Sequence, residues 1–272
     1  MFESSHDQAS GLRRLFNPRR LRLLPVVADT RPDASAVFAL NLAAALARTG
    51  SRPVVIDAHR AGVSALVGLE PRFELDDLIE GRCRVAQVLC RSAEGVPLLP
   101  ASRGLGPLST DPLAAEAVFS AVASLREGYD VAVFHAPAAL LGSLMPSRTT
   151  ETALLCGPAE ADLTLTYAWL KALVRTFSLT RFRVIFDGVA SERQAQELHR
   201  RLAAVSARYL DAAVMFGGAV GGDPGLELAV RSRASVFALA AQGPAARAFE
   251  GIASTAREWL LPAFTPSARA IH

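Results

Sequence analysis

The sequence predicts an α/β fold, a mostly parallel sheet covered by helices on both faces. Three observations predict it. Short apolar runs alternate with helix-length segments along the chain. The runs are apolar throughout rather than at every second residue, as in strands buried on both faces. No internal repeat or low-complexity tract interrupts the series. Residues 1–22 stand apart. They are polar, carry Arg13, Arg14, Arg19, Arg20 and Arg22, and break at Asn17-Pro18. Within them Ala9, Leu12 and Phe16 recur at three- and four-residue steps, which predicts a short helix in an appended arm. The α/β domain is expected over 23–264, with 265–272 as a tail.

Each element then follows in order. LLPVVA (23–28) is the first strand, followed by a polar loop, DTRPDAS, and an apolar helix from Ala36 to Thr49 that Gly50 caps. PVVID (53–57), VPLLPA (96–101), VAVF (131–134) and TALLCG (152–157) are the next strands. FRVIFDG (182–188), DAAVMFGG (211–218) and SVFALA (235–240) complete the set. Helices are expected over 74–80, 111–127, 161–178, 191–208 and 244–261.

Composition narrows the function. With 272 residues, 51% apolar and 20% charged, the chain is long enough for a sizeable core. A formal charge of +3 does not argue for nucleic acid, and no specific nucleic-acid partner is expected. Cys83, Cys90 and Cys156 are odd in number and lack CxxC spacing, which disfavours a disulfide framework or a zinc finger. No run approaches a membrane span or a leader's apolar core, so the expected location is cytoplasmic. Of the 29 Lys+Arg residues, Lys171 is the single lysine.

Ligands of open parallel sheets bind at the strands' carboxyl ends. A phosphate-binding loop there needs glycines for converging N–H groups, a lysine for the β/γ charge and a hydroxyl for Mg²⁺. The loop here, Thr30-Arg31-Pro32-Asp33-Ala34-Ser35-Ala36, has neither glycine nor lysine. Pro32 removes a donor, and Asp33 places negative charge where phosphate would lie.

Around that loop the chain resembles the MinD/ParA-type P-loop ATPases. NLAAALARTGSRPVVIDAHRAGVSALVGLEP is similar to their segment after the P-loop, in which an NLA helix leads to a strand ending D-x-D. FELDDLIEGR, VPLLPASRGL, YDVAVFHAPA, PAEADLTLTYAWLKAL and the ending FGGAVGGDPGLELAVRSRASVFALAAQGPAARAF resemble the flagellar branch, FlhG or FleN. His6-Asp7-Gln8-Ala9-Ser10-Gly11-Leu12-Arg13 carries that branch's D-Q-A-x-x-L-R element. The departures fall on the nucleotide site. Counting back from Asn41 aligns the family's K-G-G-x-G-K-[ST] with residues 30–36. Thr30 then replaces the first lysine, Ser35 the P-loop lysine and Ala36 the Mg²⁺-binding hydroxyl. His59 replaces the second aspartate of D-x-D, and His135 the Walker B aspartate. Asp187 replaces the asparagine that helps hold adenine. Asp57 alone keeps the family residue.

The resemblance implies a MinD/ParA-like fold whose intact members bind ATP and Mg²⁺ and dimerise around nucleotide. With the site residues replaced, a retained fold with a degenerate pocket is expected: no cofactor and no hydrolysis, because phosphoryl transfer rests on positioned lysine, Mg²⁺ and backbone donors. The competing reading is a working, membrane-cycling ATPase. A third is a pocket adapted to another anion or metal, since Asp57, His59 and His135 are a residue set that suits Zn²⁺. The expectation favours histidines that merely fill vacated space. The resemblance also implies that the arm engages the FlhF-type GTPase and stimulates it, through Asp7, Gln8, Ala9, Leu12, Arg13 and Phe16. Flagellar basal-body or regulatory proteins are the other implied partners, and peripheral placement at the membrane or flagellated pole is the implied site of action. At the C-terminus, Phe249, Ile252, Ala253, Ala256 and Leu260 follow helical spacing. With balanced charges and Pro262 beyond, a helix packed on the sheet is expected over one inserted in lipid.

Overall fold

The computed structural model of the protein describes residues 20–108, 111–125 and 127–265. The first half runs β1 (Leu21–Val27), α1 (Pro32–Arg48), β2 (Pro53–Asp57), α2 (Val63–Leu66), α3 (Leu75–Ile79), α4 (Val85–Val88), β3 (Cys90–Arg91), β4 (Pro97–Pro100), α5 (Leu105–Leu108) and α6 (Pro112–Ala123). The second runs β5 (Val131–Ala136), α7 (Ala138–Leu144), β6 (Thr152–Cys156), α8 (Glu160–Phe177), β7 (Arg181–Val189), α9 (Glu192–Tyr209), β8 (Ala213–Gly221), α10 (Pro224–Arg231), α11 (Val236–Leu239), α12 (Pro244–Ala256) and β9 (Ala263–Phe264).

The strands form one sheet in the order β3-β4-β2-β5-β1-β6-β7-β8, with β9 on β1. All pairings are parallel except β3 with β4 and β9 with β1. Alternate residues of β1 face opposite layers. Leu21, Leu23 and Val27 join one core with Phe119, Phe134, Phe182 and Phe186. Leu24 and Val26 join the other, with Phe38 and Leu42 of α1 and Phe249 and Ile252 of α12. Burial on both faces is why the strands read as unbroken apolar runs.

Several expectations shift at the edges. β1 begins at Leu21, so Leu21 and Arg22 belong to the sheet rather than to the arm. Residues 235–240 are not a strand. Val236–Leu239 form one helical turn, because Asn41 Oδ1 accepts the Val236 N–H at 2.7 Å and Ser235 is bound by the Glu94 carboxylate. A run this short and apolar carries no period to tell strand from helix. Asn41 of the NLA segment thus ties α1 to α11.

The GGDP segment caps two helices at once. Asp223 Oδ1 accepts the Gly225 N–H at the start of α10, and Oδ2 accepts the Ala245 N–H at the start of α12, both at 2.7 Å. These backbone donors, Ala245 foremost, hold the Asp223 carboxyl below its ordinary range. The C-terminal segment is packed, as expected. α12 buries Phe249, Ile252, Ala253 and Ala256, and Trp259 is buried too. β9 then pairs with the amino end of β1, beyond the reach of β6, which meets β1 only at Val26. No described helix is long and apolar enough to cross a membrane.

Candidate functional site

The sheet order places the carboxyl ends of β2, β5 and β1 side by side, with β6 and β7 beyond. The register sets Val27 beside Ala136 and Asp57 beside His135. Three of the residues singled out in the sequence meet here in a buried chain. His135 Nδ1 lies 3.0 Å from Asp57 Oδ1, and His135 Nε2 lies 2.9 Å from Ser35 Oγ. Asp57 Oδ2 accepts the Ser64 N–H at 2.7 Å, which ties the β2–α2 loop to the site. Gly62 is required for that approach, since a Cβ there would strike both the Asp57 carboxylate and the His59 carbonyl. Burial alone would push the Asp57 carboxyl up. The hydrogen bond and charge of His135, with the Ser64 donor, outweigh it and hold the group below its ordinary value.

Serine, histidine and aspartate at these distances share the outline of a nucleophile–base–orienter triad. The surroundings differ. Ser35 and His135 are fully buried, and the Ser35 hydroxyl also faces the Pro32 and Ala28 carbonyls at 2.8 and 3.2 Å. A substrate carbonyl has no access to this oxygen. The chain is a structural linkage between α1, β2 and β5.

The other candidates divide around it. Thr30 is buried with its hydroxyl unpartnered, and Ala36 packs in the core. His59 stacks edge-on against His135, ring centroids 5.8 Å apart, with its buried Nδ1 unpartnered. Among the described residues, no three His, Cys, Asp or Glu side chains gather to hold a metal, and both ring nitrogens of His135 are engaged elsewhere. Of the less favoured alternative set Asp57, His59 and His135, Asp57 and His135 are hydrogen-bonded to each other and His59 meets them through its ring contact with His135. Lys171 lies on the exposed face of α8, away from the loop. Asp7, Gln8, Ala9, Leu12, Arg13 and Phe16 lie outside the described residues.

Asp187 is explained by a residue to which sequence reasoning gave no role. Arg31, the N-cap residue of α1, reaches across β6 to set its guanidinium 3.4 Å from both Asp187 and Asp162. It lies so close over Gly157 that a Cβ there would collide with it. Burial pushes the Asp187 carboxyl up, and Arg31 opposes this. Nothing local in the sequence marks Arg31, because its partners are more than a hundred residues away. Asp29 was missed in the same way; its carboxylate accepts the Ala138 N–H at 2.5 Å and closes the loop on the start of α7.

No protein-family profile matches the chain. A relative does. Antiactivator FleN of Pseudomonas aeruginosa is 31% identical over 229 residues, covering 82% of each chain. The chain belongs to the FleN (FlhG) family. Its fold is that of the wider MinD/ParA group. The MinD cell division protein of Aquifex aeolicus superposes with a TM-score of 0.65 at 17% identity, covering 89% of this chain and 99% of its own. The cell division ATPase MinD of Pyrococcus furiosus gives 0.64 at 17% identity, over 87% and 98%. A ParA family ATPase from Chlorobium tepidum gives 0.61 at 15%, over 87% and 98%.

Proposed function

We propose that this chain is a flagellar regulator of the FleN type that acts by binding other proteins, without an ATP-driven switch. The observation that carries this reading is the Ser35–His135–Asp57 chain. Where a P-loop lysine, a Walker B carboxylate and the first aspartate of D-x-D would act together, Ser35, His135 and Asp57 bond one another and are closed to solvent.

Nucleotide and Mg²⁺ do not fit these residues. The Asp57 carboxylate is spent on His135 and Ser64 N, and Ala36 offers no oxygen ligand. Asp33 in the first turn of α1 already complements the positive helix end that would draw a phosphate. Arg31, lying against Asp187 and Asp162, occupies the side of the site where Asp187 stands for the base-holding asparagine. Without lysines at 30 and 35, the nucleotide sandwich that joins two protomers in intact members loses its bridging charge. The protein then keeps one oligomeric state whether or not ATP is present.

Binding falls to the parts that keep their family residues. The element Asp7-Gln8-Ala9, with Leu12, Arg13 and Phe16, supports engagement of an FlhF-type GTPase: Leu12 and Phe16 recur at helical spacing as apolar anchors and the polar residues would give specificity. Other flagellar basal-body or regulatory proteins are the remaining partners of this reading, and the place of action is the cytoplasm at or near the flagellated pole. The test uses a peptide of residues 1–22 added to the purified GTPase. Accelerated GTP hydrolysis supports the reading, and an unchanged rate sinks the arm's part in it. Saturable ATP binding by the full chain would instead favour the membrane-cycling ATPase.

A further inference from the structure

The two edges of the sheet are finished differently. One ends in β3, two residues long, and the other in β8, which runs for nine residues. Sheet edges present unpaired N–H and C=O groups, which proteins blunt with short strands, charges, proline or a cover. β8 has no proline and no charged side chain. Its Ala213 N–H is bonded inward to the Thr180 carbonyl, so Val214 turns its main chain outward, where His199 Nε2 lies 3.0 Å from the carbonyl. From Phe216 to Gly221, no side chain of the described residues is hydrogen-bonded to the β8 main chain. A bulge at Gly217 bends the strand, but glycine leaves that bend without a side chain to cover it.

Along this edge runs a groove of about 540 Å³, lined by Gly217 and Gly218 of β8 and by Ala248, Gly251 and Thr255 of α12. α12 returns antiparallel to β8. Asp223 ties its start to the carboxyl end of the strand, and Arg183, in register with Met215, lies over Trp259 just past its end. Arg247 therefore marks the carboxyl end of the groove and Glu258 its amino end. Both are exposed, and among the described residues neither forms a salt bridge; Arg247 is only the smallest of the influences on the Asp223 carboxyl. Between them Ile252 lies against Gly218. The other charges on the groove leave this polarity intact: Arg183 is held by Glu151, and Glu192 begins α9 on the opposite face of the sheet. A two-fold axis at Gly218, perpendicular to the sheet, sets β8 antiparallel to a second β8 and keeps α12 beside α12. It brings Arg247 to Glu258 of the partner subunit, twice over, as a self-complementary surface requires. We propose that β8 and α12 form a docking surface for a second copy of this chain, joined edge to edge without nucleotide. An unrelated strand would find the same backbone but not the matched charges. β8 lies beyond β6 and β7 from the Ser35–His135–Asp57 chain, so docking does not depend on the state of that site.

The test is sedimentation equilibrium of the full chain in nucleotide-free buffer, up to about 100 μM protein. A concentration-dependent dimer is expected, and amide exchange over Val214–Gly221 slows as it forms. Arg247→Glu and Glu258→Arg each raise the dimer Kd at least about tenfold, because one reversal changes both symmetry-related contacts. The double variant Arg247→Glu/Glu258→Arg recovers the parental Kd to within about threefold, since the pairs re-form with exchanged signs. Each reversal also suits its own end of α12, acidic near the start and basic past the end, so the protomer stays folded. Gly251→Gln adds bulk where a side chain meets nothing within 4 Å in the protomer. It keeps or raises Tm, because glycine is a poor helix former, and raises the dimer Kd at least about tenfold. A monomer at every concentration, a dimer with unchanged exchange in β8, variants without effect, or a charge swap that fails to recover would each overturn the proposal.

Discussion

Replacing His135 with alanine is the sharpest perturbation of the buried chain. Asp57 is fully enclosed and has two supports, the imidazole at 3.0 Å and the Ser64 N–H at 2.7 Å. Removing a hydrogen-bond partner so that a buried carboxylate is left uncompensated costs about 3–5 kcal/mol. Because Ser64 still satisfies Oδ2, the lower end applies, about 3 kcal/mol. At the sensitivity of large domains this lowers Tm by roughly 6–12 °C. The assay is urea unfolding followed by circular dichroism, with the midpoint falling at constant slope. The double variant Asp57→Asn/His135→Ala should lose less than the sum of its singles, by about 1 kcal/mol or more, since the two residues act as a unit. The pH dependence has a definite sign. The folded Asp57 carboxyl lies below its unfolded value, so its contribution is present above about pH 4 and is lost as pH falls through the folded value. Asp57→Asn should flatten that acid limb. A His135→Ala protein within about 1 kcal/mol of its parent, with an unchanged acid limb, would refute the reasoning.

Three further outcomes follow from the same geometry. Gly62→Ala should destabilise by about 2 kcal/mol, read as a lowered Tm, because the new methyl meets a main-chain carbonyl that cannot move aside. Asp187→Asn should be neutral or slightly stabilising at pH 7, by less than about 1 kcal/mol in urea unfolding. Burial raises that carboxyl's pKa and so disfavours its charged form, while Arg31 is partly open to solvent and its support is screened. Trp259→Ala should cost about 3 kcal/mol of stability and leave co-sedimentation with anionic vesicles unchanged, because the indole is packed in the core rather than offered to lipid.

The fold was legible where burial on both faces left an unambiguous mark. β1, β2, β4, β5, β6, β7 and β8 all fall on predicted apolar runs, and α8 and α9 on predicted helices. What escaped was short or long-range. β3 and β9 are two residues each and exist only because β4 and β1 offer open backbone there. α11 is a single apolar turn whose conformation is decided by Asn41 and Glu94, both distant in sequence. In the site, the identities of Ser35, Asp57 and His135 were readable one by one from the loop and the strand ends. Their linkage was not, because it depends on β5 lying directly between β2 and β1. The same holds for Arg31, which reads as an ordinary loop cation until β6 and β7 bring Gly157, Asp162 and Asp187 beneath it.

The central claim is that a fold shared with MinD-type ATPases here carries a nucleotide site bonded shut by its own side chains. Isothermal titration of the full chain with ATP in the presence of Mg²⁺ tests it most directly. The account predicts heats no larger than dilution up to millimolar ATP. A saturable, Mg²⁺-dependent isotherm with micromolar affinity would contradict it.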